Sequence, residues 1–228
     1  MLFHYNQHAM HCLSIIFDLD GTLLDTLQDI AATANAVLVR YGFPVHSLYD
    51  YKRFVGDGLK ALIEKITPPG TGENIINGCC QLFLQLYAKN WQNTCHPYDG
   101  IEDMLVALRK QRLKMAVLSN KPHVFTKLFI DTYFPGQPFA YTYGQREGSP
   151  KKPDPTVALE LAERLATPPE KMLFVGDTAI DIRTGKAAGM TTVAVTWGFR
   201  NLKELEKENP DLIINSPMEL LQHALSLA

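Results

Sequence analysis

The apolar residues of this chain recur in two rhythms. Short apolar runs that stop abruptly at polar residues predict buried strands, and stretches with apolar residues three and four positions apart predict helices. The first run, Leu13 to Phe17, reads Leu-Ser-Ile-Ile-Phe and ends at Asp18-Leu19-Asp20-Gly21-Thr22. Between residues 25 and 94 the period is helical. One face carries Ile30, Ala34, Val37 and Leu38, a second Leu59, Leu62, Ile63 and Ile66, and a third Ile75, Cys79, Leu82, Phe83, Leu86 and Tyr87. Breaks rich in Gly and Pro, such as Tyr41-Gly42-Phe43-Pro44 and Pro68-Pro69-Gly70-Thr71-Gly72, separate them.

From Asp99 onward helices and short apolar runs alternate. A helix over Gly100 to Gln111, with Asp99 as its cap, leads into Lys114 to Asn120, a strand that ends at Ser119. A weaker run covers Phe139 to Tyr143. A helix over Pro155 to Ala166 turns Ala158, Leu161, Ala162 and Leu165 inward, and further strands cover Met172 to Val175, Thr192 to Val195 and Leu212 to Ile214. Alternation of this kind is the signature of right-handed βαβ units. The expected fold class is therefore α/β, a doubly wound, mostly parallel, Rossmann-like sheet with a small inserted helical domain. Residues 1–24 form the first part of the core, 25–94 the helical insert and 95–228 the rest of the core.

Composition narrows the function classes. A chain of 228 residues, 46% hydrophobic and 20% charged, has material for a sizeable core, and a net charge of -2 argues against a nucleic-acid surface. No apolar stretch is long enough to cross a bilayer and residues 1–14 lack a signal-peptide pattern, so a cytoplasmic location and no membrane partner are expected. Cys12, Cys79, Cys80 and Cys95 have no CxxC spacing and read as reduced thiols. His4, His8, His11 and Cys12 are spaced too irregularly to prefer a metal site over a loose terminus. Met1 and Met10 are both possible starts.

The candidate chemistry lies at the strand ends. Side chains alternate along a strand, so Asp18 and Asp20 leave the first one toward the same side, where open α/β sheets place their ligands. Two like charges that close call for a cation. A surface turn explains the pentapeptide alone equally well, and Asp177 with Asp181 could simply cap the next helix. The ordered set is what favours chemistry: Asp18 and Asp20, Ser119, Lys152 in its Pro-rich loop, then Asp177 and Asp181. Asp18, Asp177 and a backbone carbonyl near Asp20 suit Mg²⁺, with Asp181 holding a metal-bound water. Such a site suits phosphoryl transfer, with Asp18 as nucleophile, Asp20 as acid and base, and Ser119 and Lys152 binding phosphoryl oxygens.

With these residues in place, the chain resembles the haloacid dehalogenase superfamily of phosphatases, and within it the bacterial phosphoglycolate phosphatases. The resemblance rests on Asp18-Leu19-Asp20-Gly21-Thr22-Leu23-Leu24-Asp25, Leu118-Ser119-Asn120, Lys152-Pro153 and Val175-Gly176-Asp177-Thr178-Ala179-Ile180-Asp181, in that order. It implies an aspartyl-phosphate mechanism with Mg²⁺ on Asp18, Asp20 and Asp177, and a helical insert acting as a cap. It also implies a small phosphorylated metabolite as substrate, 2-phosphoglycolate foremost; a monomer or homodimer is expected. Sugar-phosphate phosphatases and phosphomutases share parts of the pattern. Thr22 and Asn120 are expected to face the substrate. Gly56 and Gly58 would bring backbone N–H groups to a small carboxylate and Arg53 a charge, although a cap-helix turn with an exposed Arg explains the same letters.

Overall fold

The protein is described by a computed structural model that covers residues 14–136 and 138–226; His4, His8, His11, Cys12, the two candidate starts and the Leu13 end of the first run lie outside the described residues. The strands are β1 (Ser14–Phe17), β2 (Leu24–Asp25), β3 (His96–Pro97), β4 (Lys114–Pro122), β5 (Tyr141–Gln145), β6 (Met172–Gly176), β7 (Thr191–Val195) and β8 (Leu212–Ile214). The helices are α1 (Leu27–Arg40), α2 (Leu48–Phe54), α3 (Leu59–Ile66), α4 (Glu73–Asn90), α5 (Ile101–Lys110), α6 (His123–Tyr133), α7 (Thr156–Arg164), α8 (Ala179–Ala187), α9 (Leu202–Glu206) and α10 (Pro217–Ser226).

Six strands form one parallel sheet in the order β5-β4-β1-β6-β7-β8, with β1 at the centre. The order reverses at β1, which makes the carboxyl edge beside it a topological switch point. Each strand must bury both faces, and the pleat divides its residues between two cores. Ile15, Phe17, Met115, Val117, Leu173 and Val175 pack on one side, where α5, α6 and α10 contribute, and Ile16, Ala116, Leu118 and Phe174 pack against α7 on the other. Ile182 of α8 and Leu205 of α9 cover Ala194 on β7.

Between β2 and β3 lie four helices, α1 to α4. The two short strands pair antiparallel, Leu24 with Pro97 and Asp25 with His96, so the chain leaves the core and returns through one narrow ribbon. Buried Asp29 fastens the base of this helical unit: its carboxylate accepts from the Thr94 and Cys95 amides at 3.0–3.1 Å and from the Thr94 hydroxyl at 2.8 Å. A buried carboxylate tolerates that environment because several N–H and O–H donors replace its water.

Several details depart from the pattern. The residue before α5 is Gly100 in the left-handed region and no side chain caps the helix, so Asp99 does not act as its cap. On α4 the buried stripe is Ile76, Cys79, Phe83 and Tyr87, while Ile75 is exposed. β4 continues past Ser119 to Pro122, and α6 follows it directly. α6 is not among the elements singled out by periodicity, although Phe125, Phe129 and Ile130 all pack inward from it.

Candidate active site

Parallel register brings the ends of three strands together. Phe17 stands opposite Val117 on one side and Val175 on the other, so Asp18, Ser119 and Asp177 all emerge at the same edge. The Asp18 amide still bonds the Val175 carbonyl at 2.9 Å. Glycines make room for the carboxylates. Gly21, at φ +84°, turns the chain off β1, and a Cβ there would overlap the Asp177 carboxylate; Gly198 and Gly176 likewise leave no space for a side chain beside Asp177 and Asp181.

Carboxylate oxygens of Asp18, Asp177 and Asp181, all buried, lie within 4.8 Å of one another. Lys152 sits among them, its Nζ 2.8 Å from Asp18 Oδ1 and 2.6 Å from Asp181 Oδ1. Burial works against the charge on this lysine, but Asp18 and Asp181 outweigh it and hold its pKa above the ordinary value. The carboxyl groups feel the opposite pressure. Burial pushes Asp18 up to about 7, with Lys152 pulling it back and Asp181 adding repulsion. Burial, then Asp181 and Asp18, raise Asp177 well above the usual carboxylate range.

Such a set of crowded, buried oxygen donors fits a small hard divalent cation, whose charge would relieve the repulsion. Asp18 and Asp177 are the side chains that would hold it, Asp18 while paired with Lys152 and Asp177 while its Oδ2 accepts from the Phe199 amide at 2.7 Å. Asp181 is committed elsewhere: Oδ1 accepts from Lys152, and Oδ2 accepts from the Thr178 amide and hydroxyl at 3.1 and 2.7 Å. The helix-cap role and the chemical one are thus served by two oxygens of one carboxylate.

A second charged cluster surrounds Asp20. Its Oδ1 accepts from the Thr26 hydroxyl at 2.7 Å and from Lys121 Nζ at 3.0 Å. The same Nζ donates to the Tyr87 hydroxyl at 2.9 Å, and it lies 4.8 and 4.5 Å from the ring centroids of Tyr87 and Phe129. Burial opposes the charge of Lys121, but Asp20 and Tyr87 prevail and raise its pKa. Lys121, Thr26 and Tyr87 are not among the candidate site residues, and Tyr87 appears in the sequence reading only as part of an apolar helical face. The available signal was a lysine lodged between the apolar run that ends at Leu118 and the apolar face of the helix beyond it, a position where an unpaired charge is costly.

Of the residues expected to face a substrate, the structure brings some to the site and not others. Asp18, Asp20, Ser119, Lys121, Gly56 and Gly58 line one pocket of about 60 Å³ between the strand ends and the helical unit. Asn120 also lines it, but its amide is spent on protein: Nδ2 donates to the Gly56 and Lys152 carbonyls, and Oδ1 accepts from the Lys152 amide at 2.9 Å. It positions the Lys152 loop. The Thr22 hydroxyl points at Asp177 Oδ1, 3.4 Å away. Arg53 is exposed, its guanidinium over the Tyr49 ring, and lies in a separate surface cleft with Lys52 and Arg200. The structure does not bring it to the pocket.

Three core side chains hold the loop after α2 by its carbonyls. Arg200 Nη2 donates to Val55 at 2.8 Å and to Arg53 at 3.3 Å, Asn120 to Gly56 at 3.1 Å, and Lys151 to Asp57 at 2.9 Å. Backbone carbonyls receive these bonds, so these contacts do not depend on the identity of the loop's side chains.

Comparison with known proteins agrees with this arrangement. The model of the haloacid dehalogenase-like hydrolase family matches residues 15–195. The chain is 34% identical to a phosphoglycolate phosphatase of Aquifex aeolicus over 91% of its own length and 94% of the relative's. It is 32% identical to one of Pseudomonas putida, covering 91% and 78%. A solved protein from Lactobacillus delbrueckii subsp. bulgaricus superposes with a TM-score of 0.89 at 28% identity, covering 94% and 98% of the two chains.

Proposed function

The chain belongs to the haloacid dehalogenase-like hydrolase family and is a phosphatase of that family, and from this premise we propose that it is a Mg²⁺-dependent phosphomonoester hydrolase whose substrate is 2-phosphoglycolate. The observation that carries the reading is the buried carboxylate of Asp18 at the end of β1, 2.8 Å from the Lys152 ammonium and beside Asp177. The relatives named phosphoglycolate phosphatase support the choice of ester.

In this reading Asp18 attacks phosphorus, a bond forms between its carboxylate oxygen and phosphorus, and the bond from phosphorus to the ester oxygen breaks. Asp20 gives the leaving oxygen its proton. A water then attacks the aspartyl phosphate, Asp20 takes the proton from that water, and phosphate and glycolate leave with Asp18 restored. Thr26 and Lys121 both hold Asp20 Oδ1, which leaves Oδ2 as the oxygen that moves the proton. Ser119 and Lys152 bind phosphoryl oxygens, and Asp181 with Asn120 keeps Lys152 in place. Asp18, Asp177 and the backbone oxygen of Asp20 would hold Mg²⁺, which supplies charge neutralisation to the carboxylate and the phosphoryl group together. The helical unit serves as the cap that excludes water, and Gly56 and Gly58 form its edge over the pocket.

The test is phosphate release from 2-phosphoglycolate, sugar monophosphates, nucleotides and an aryl phosphate, each with and without Mg²⁺. A preference in kcat/KM for 2-phosphoglycolate that disappears with the metal is expected. Preference for a sugar phosphate would replace the substrate and keep the chemistry, and metal-independent turnover would reject the mechanism.

A further inference from the structure

The pocket walls supplied by the helical unit and α6 are apolar, with Leu59, Leu62, Phe83, Leu84 and Phe125 among them. Hydroxyl groups of a sugar would lose water there without compensation. Against these walls stands one charged donor that has no contact with the phosphoryl group in the reading above, where it only holds Asp20. Lys121 belongs to the core, lines the pocket and is buried, with 4% of its side chain exposed. An ammonium has three N–H donors, of which Asp20 and Tyr87 engage two.

Its place relative to Asp20 limits what it can meet. Asp20 must stand at the ester oxygen to protonate it, and Lys121 Nζ lies 3.0 Å beyond Asp20 Oδ1. When the carbon next to the ester oxygen bears a carboxylate, the carboxylate oxygens lie only about 3 Å from that ester oxygen. A carboxylate so placed reaches Lys121, whereas an ester without one offers the third donor nothing. We propose that Lys121 determines specificity by binding the carboxylate of an α-carboxy phosphate ester beside the leaving oxygen. The inference rests on the substrate reading above and assigns that selectivity to a residue. Arg53, the cation that the sequence suggested for this purpose, lies in another cleft.

The experiment compares 2-phosphoglycolate with ethyl phosphate, which lacks the carboxylate, in the wild-type enzyme and in Lys121→Met. The ratio of the two kcat/KM values is read on one preparation, so the folded fraction cancels. Loss of a charge-assisted contact predicts that the ratio falls by about 30-fold or more in the variant. If Lys121 only positions Asp20, both esters suffer alike and the ratio stays; that result overturns the inference. Should the variant be too slow to assay, the two esters' Kd values measured by calorimetry in Asp18→Asn and in Asp18→Asn with Lys121→Met give the same ratio. A wild-type enzyme with no preference for 2-phosphoglycolate would instead reject the substrate reading itself.

Discussion

The two charged clusters around the pocket are built differently. The Asp18 cluster is made wholly from the core: Asp177 comes from a strand end, Lys152 from a loop and Asp181 from the first turn of α8, with glycines shaped around the carboxylates. The Asp20 cluster is shared. Lys121 and Asp20 come from the core, but Tyr87 stands on α4 and Thr26 at the foot of α1. The first set is therefore positioned by the sheet alone, and the second is complete only while the helical unit is seated. In the proposed reaction this separates phosphorus activation, which is always prepared, from proton transfer, which waits for closure.

That contrast can be broken by one substitution on each side. Lys152→Met leaves Asp18 and Asp181 buried without their cation, and removing one partner of a buried pair costs about 3–5 kcal/mol. We expect a marked fall in Tm together with a loss of kcat of about 100-fold or more. Tyr87→Phe removes one acceptor from Lys121 and leaves the core cluster intact, so kcat/KM should fall by about 3- to 10-fold, with little change in stability. Equal losses in the two variants would show that the clusters do not act separately.

A smaller effect sharpens the comparison through pH. The folded-state pKa of Asp18, about 7, lies above its unfolded value, as does that of Asp177, so the metal-free protein binds extra protons when folded. The stability tied to Asp18 is complete below the unfolded carboxylate range and is lost as pH rises through about 7, and Asp177 acts in the same direction. In the proposed reading Mg²⁺ on Asp18 and Asp177 would replace the protons. The rise in Tm on adding Mg²⁺ to chelator-treated protein should therefore be larger at pH 8 than at pH 5, and Tyr87→Phe should show the same increment as wild type. An increment that shrinks as pH rises would contradict the assignment of the metal to Asp18 and Asp177.

The two clusters also differed in how well the sequence revealed them. Core strands and the residues at their ends were legible because a buried strand needs an unbroken apolar run, and the polar residue that ends it marks the sheet edge. Asp18, Ser119 and Asp177 follow from that alone. The Asp20 cluster depends on tertiary docking between α4 and the end of β4, which no local period encodes, so Tyr87 reads only as part of an apolar helical face and Lys121 receives no role in the site. Asn120 and Thr22 were placed near the site by their neighbours in sequence, but burial turned their polar groups to the protein, one to the Lys152 loop and the other to Asp177. Arg53, near the end of α2, falls outside because its carbonyl, not its side chain, meets Arg200 of the core.

The central claim is that Asp18 carries the phosphoryl group. Enzyme quenched in acid during turnover of 2-phosphoglycolate and digested for mass spectrometry tests it most directly. The account predicts one added phosphoryl group on the peptide containing Asp18, discharged by hydroxylamine and missing in Asp18→Asn. A phosphoryl group on another residue, or turnover retained by Asp18→Asn, would contradict it.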